Sequence, residues 1–69
     1  MTDFAHSTEL RRRLHELQVE HRDLDEVIAR LEGAPPHDEL LLRRLKKRKL
    51  ALKDRISLLE RMLQPDVPA

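Results

Sequence analysis

The side chains able to do chemistry are four histidines, thirteen carboxylates and fourteen lysines and arginines in 69 residues, with no cysteine. A zinc site built on His6, His15, His21 or His37 would need a spacing such as H-E-x-x-H or a cysteine companion, and neither is present. His21 and Asp25 stand one helical turn apart, a spacing that allows weak metal ligation. The plainer reading makes His21 a polar residue in an apolar seam, with Asp25 flanking it. There is no glycine-rich phosphate loop and no nucleophile beside a base in a recognisable motif. These absences lead to the expectation of a protein that is not an enzyme, with no cofactor, no metal and no small-molecule substrate.

The run Arg43, Arg44, Lys46, Lys47, Arg48, Lys49 has a chemistry of its own. Such clusters bind phosphates by releasing counterions from nucleic acid. Alternatively they form a solvated helix face neutralised by Glu20, Asp23, Asp25 and Glu26. The second reading fits better, because Phe4 is the lone aromatic, none is interleaved to stack bases, and the formal net charge is only +1. Arg11, Arg12 and Arg13 are read in the same way.

The elements that position these groups follow from apolar spacing. Leu10, Leu14, Leu17, His21, Leu24, Ile28 and Leu31 alternate steps of four and three, as an a/d coiled-coil seam does. Leu42, Leu45, Lys49, Leu52, Ile56, Leu59 and Leu63 form a second such seam. Gly33, expected in the left-handed conformation, and Pro35 and Pro36 stop the first helix. The short stiff linker then folds the second helix back antiparallel. The organisation is a flexible N-terminus (1–6), helix one (7–32) with Ser7 the preferred N-cap over an earlier start at Asp3, a turn (33–37), helix two (38–64) with Asp38 as N-cap, and a tail (65–69) marked by Pro65 and Pro68. The fold class is all-α, an antiparallel two-helix hairpin.

Folding about the turn pairs residues whose numbers sum to roughly 70 in an antiparallel hairpin. His21 then falls opposite Lys49, so the two polar seam positions share one layer. A pH-dependent assembly is a hypothesis that this layer raises. On the flanks Glu20 meets Arg48, Asp25 meets Lys46, Arg11 meets Glu60 and Val27 meets Leu41. Arg13 with Arg55 and Glu32 with Glu39 are like-charged. Charge is divided to match: residues 1–32 hold five basic and eight acidic residues, a balance of −3, and residues 33–69 hold nine and five, a balance of +4.

A chain this small draws only roughly 3 to 5 kcal/mol from one core. Without disulfides, further stability has to come from regular packing or from a second copy. Leu40, Leu50, Ala51, Leu58 and Met62, with Val19 and Val27, lie outside the seams. Burying them by pairing two hairpins gives a homodimeric four-helix bundle. No uncharged run approaches the ~18 residues of a membrane span, and the N-terminus lacks the basic and apolar regions of a signal peptide. The expected location is the cytoplasm.

The stretch Leu17 to Glu32, with its EH-x-x-LD-x-x-I pattern, and the stretch Leu45 to Ile56, with LKK-x-KL-x-LKD, resemble the YdcH-like small bacterial proteins. The resemblance covers about two-thirds of the chain and implies a cytoplasmic helical hairpin in a bacterium, in a family without assigned function. It supplies no catalytic residues. It includes Leu50, Lys53 and Asp54, which the seams do not explain. Together with Lys47, Leu58 and Met62 they are the candidates for a dimer or partner surface. The leading expectation is a protein–protein interaction or self-association module, with an unidentified protein as a further possible partner. The rival is a nucleic-acid or ribosome-associated factor using the basic run.

Overall fold

The computed structural model describes residues 3–64 and holds two α-helices, α1 (Asp3–Glu32) and α2 (Glu39–Leu63), packed along one another in a rod of 54 × 27 × 15 Å. The all-α antiparallel hairpin is the architecture that the two leucine seams demand. Helix α1 starts at Asp3, so the flexible segment expected through residue 6 is helical from residue 3, and Ser7 lies inside the helix. The tail at 65–69, with Pro65 and Pro68, lies outside the described residues, as do Met1 and Thr2.

The turn differs from expectation in its backbone. No described residue, Gly33 included, has a positive φ. Helix α1 instead ends with the Gly33 amide donating to the Ala29 carbonyl at 3.0 Å, an ordinary helical bond. Pro35 and Pro36, joined by a cis bond, then stop the ladder, since neither has an amide hydrogen. Helix α2 opens on Asp38, whose backbone is extended and whose carboxylate accepts from the Leu41 amide at 3.0 Å. That bond satisfies one of the orphan donors of the first turn. At the far end the Gln64 amide donates to the Glu60 carbonyl at 3.0 Å.

The core is thin. Leu17, Ile28, Leu42, Leu52 and Leu59 are buried. Leu10, Leu14, Leu24 and Ile56 pack against the cluster of Leu17, Leu52 and Leu59. His21, Leu31, Leu45, Lys49 and Leu63 are half-buried, so every seam position turns inward to some degree. Two helices alone can cover one stripe on each other and no more. Leu40, Leu41, Leu50, Leu58, Met62, Val19 and Val27 are left exposed.

Candidate interaction surface

His21 and Lys49 line one depression on the flank of the hairpin, together with Asp25 and Lys53. The two polar seam residues are thus neighbours, but no hydrogen bond joins them. Lys49 extends its ammonium to Asp25, with Nζ 2.5 Å from Oδ1. A long apolar stem in the seam with its charge at the rim is how lysine tolerates such a position. The imidazole Nε2 of His21 is buried with no hydrogen-bond partner. A polar atom left in that state costs stability.

This arrangement changes the ion pairs expected from the register. Asp25 pairs with Lys49 and not with Lys46, because Lys49 leaves the seam on the side that Asp25 occupies. Lys46, nearer the turn, reaches Glu32 at 2.6 Å. Glu32 therefore has a cation beside it, where Glu39 was expected. Arg48 meets Glu20 with two donors, Nε at 3.2 Å and Nη2 at 2.8 Å from the same carboxylate oxygen. Arg11 and Glu60 are both exposed, and no ion pair joins them among the described residues. The nearby ionic contacts run along α1 instead, where Arg12 bridges Glu9 and Glu16 within four residues on either side.

Three of these carboxylates, Asp25, Glu32 and Glu9, are lowered in pKa by their cation. The hydrogen bond from Lys49 holds the Asp25 carboxyl below the usual range, against partial desolvation, with smaller help from the charges of Lys49 and His21. The hydrogen bond from Lys46, and then its charge, lowers Glu32. The hydrogen bond from Arg12 lowers Glu9, and in return Glu9, followed by the charge of Glu16, raises Arg12. These pairs are at the surface and add little stability; those of Lys46 and Lys49, which cross between the helices, favour one register.

The basic run is consequently split. Lys46, Arg48 and Lys49 are bound to carboxylates of α1. Arg43, Arg44 and Lys47 are exposed and have no ion pair among the described residues. Their charges face solvent and stay available.

The six residues singled out for a partner surface do not share one patch. Leu50, 63% exposed, lines a depression near the turn with Glu32, His37, Leu42, Lys46 and Lys47. Leu58 and Met62 line another at the open end with Leu10, Arg13 and Arg55. Lys53 belongs to the His21 depression, and Asp54 is exposed with no partner among the described residues. Lys47, Leu50, Lys53 and Asp54 come from the motif, and Leu58 and Met62 from the surplus of apolar residues, and the rise of about 1.5 Å per residue separates the six along α2.

One contact had no signal in the residue pattern. The His37 imidazole Nδ1 lies 2.9 Å from the Leu31 carbonyl and serves, as a donor, one of the orphan acceptors of the α1 C-terminus. Among the described residues no group of three or more His, Cys, Asp or Glu is placed to hold a metal ion, and no helix is long and apolar enough to cross a membrane.

No curated protein and no solved structure matches the chain. One family model does, over residues 14–60. That span contains the seam from Leu14 to Leu59, the turn and all three ion pairs between the helices. The hairpin itself is therefore what the match covers, and the chain belongs to the family described as "Protein of unknown function (DUF465)".

Proposed function

We propose that this protein is a non-enzymatic helical-hairpin module that works by association, in the first place with a second copy of itself. The observation that carries the reading is the outer side of α2, where Leu40 is 56%, Leu58 41% and Met62 53% exposed beside a core of five buried residues among those described. Exposed apolar side chains repeated along one side of so small a domain suit a contact face. Arg43, Arg44, Lys47 and Asp54, which have no ion pair among the described residues, are all exposed, which suits binding better than catalysis. The EH-x-x-LD-x-x-I and LKK-x-KL-x-LKD patterns fall inside the matched residues. Their likeness to YdcH-like proteins supports a bacterial, cytoplasmic setting.

Sedimentation equilibrium across a wide concentration range tests the proposal. A dimer that dissociates only on dilution supports it, and a monomer at every concentration refutes it.

A second reading has its own observation. Arg43, Arg44 and Lys47 project three uncompensated charges from one helix. If they contact phosphates, affinity for generic duplex or RNA falls steeply with salt, losing about one log unit per log unit of salt for each phosphate neutralised. Binding that is absent or insensitive to salt removes this reading.

A further inference from the structure

We infer that two hairpins associate through antiparallel α2 helices, with the two-fold axis passing at Ala51. The inference rests on the self-association proposed above and specifies its geometry. Outside the seam, α2 carries a second stripe, Leu40, Arg44, Ala51, Leu58 and Met62, all exposed. Leu40 and Met62 each lie eleven residues from Ala51, and Arg44 and Leu58 each lie seven. Both intervals return a helix to nearly the same face. The stripe is therefore symmetric about its smallest member.

A two-fold axis makes an interface self-complementary, so that whatever i contacts on the second copy, the second copy's i contacts in return. With the axis at Ala51, Leu40 meets Met62 of the second copy, and the aliphatic stem of Arg44 lies over Leu58 of the second copy. Ala51 faces its own equivalent. The surface suits this order. Ala51 borders the groove between the helices, with Arg13 and Leu17 on the α1 side and Arg48, Leu52 and Arg55 on its own, and its methyl group leaves room for the backbones to approach. The surface dips beside Leu58 and Met62, which gives a leucine a seat at the open end.

Charge selects the same register. Asp54 is the one acidic residue of α2 between Glu39 and Glu60, and it has no partner within the chain among the described residues. Pairing about Ala51 sets it beside Lys47 of the second copy, on the same flank of the stripe. Lys47, unpaired within its own hairpin, gains Asp54 in return. Leu50 lies about 100° around the helix from Ala51 and stays uncovered.

The chain has no cysteine, so single cysteines report the geometry directly. In the full chain, Ala51→Cys under mild oxidation is expected to form a disulfide-linked dimer in most molecules, and Leu50→Cys under the same conditions in at least fivefold fewer. A mixture of Leu40→Cys and Met62→Cys chains is expected to cross-link to each other more than either does to itself. Ala51→Arg, at an exposed position, keeps the helical signal and weakens the dimer at least tenfold. A sedimenting dimer in which Ala51→Cys links no better than Leu50→Cys overturns the register while leaving self-association standing. A monomer at all concentrations overturns both.

Discussion

Lys49 Nζ stands 2.5 Å from Asp25 Oδ1, so the cation of the α2 seam is neutralised at the rim by the residue one turn beyond His21. The contact explains how a lysine occupies a leucine position without breaking the hairpin, and it ties the two helices at mid-length. It also leaves the imidazole of His21 with no share in the carboxylate through Nε2, which is buried and without a partner.

The carboxylates set an acid limit. Asp25 and Glu32 are held below the usual range in the folded hairpin by Lys49 and Lys46. A lowered folded-state pKa contributes stability above the unfolded value, lost as pH falls through the folded one. Urea midpoints are expected to be flat from pH 7 to about pH 5 and to drop below about pH 4, the ordinary carboxylate range. The doubly substituted Asp25→Asn, Glu32→Gln chain is expected to show a smaller drop. Equal acid sensitivity in the two chains contradicts the assignment.

Replacing His21 by leucine removes a buried, unpartnered nitrogen and completes the α1 seam. Leaving such an atom unsatisfied costs about 1–3 kcal/mol, so His21→Leu is expected to raise the urea midpoint at pH 7. A lower midpoint means that the imidazole has a favourable role that its surroundings do not reveal.

Leu52 is only 3% exposed and sits in the central cluster with Leu17 and Leu59. Leu52→Ala is expected to cost about 2–5 kcal/mol, comparable with the whole stability of a core this small. Far-UV circular dichroism at 25 °C checks it: the variant loses most of its helical signal, whereas Leu50→Glu, at an exposed site, keeps it.

Gly33 has no need of glycine's left-handed freedom, because its φ is not positive. A Cβ there meets the Ala29 carbonyl at 3.4 Å, an ordinary contact. Gly33→Ala is therefore expected to be neutral or to stabilise by about 0.4–1 kcal/mol through the unfolded chain. A loss beyond about 1 kcal/mol in a thermal melt, larger than that range, shows a strain that the backbone angles do not.

Leucine spacing made the hairpin legible before any coordinates, because the seams and the proline turn allow one antiparallel arrangement. It also brought His21 and Lys49 to one level. What spacing could not supply was the reach of long side chains. Lys46, Lys49 and Glu32 each span several ångströms beyond their Cβ atoms, so their partners follow flank geometry, and Asp25 goes to Lys49. The turn departs from expectation at Gly33 for a related reason: a glycine before Pro-Pro suggests a left-handed cap, yet α1 ends at Glu32 with the Gly33 amide still bonded to the Ala29 carbonyl. Most of the proposed contact stripe is legible too, since Leu40, Ala51, Leu58 and Met62 lie outside the seams, whereas Arg44 gives no apolar signal. The cap from His37 depends on loop geometry that composition does not encode.

The central claim is association through the outer side of α2, and sedimentation equilibrium of the full chain beside a Leu58→Glu, Met62→Glu variant tests it most directly. The account predicts a concentration-dependent dimer for the natural sequence and a helical monomer for the variant. The same oligomeric state in both chains contradicts it.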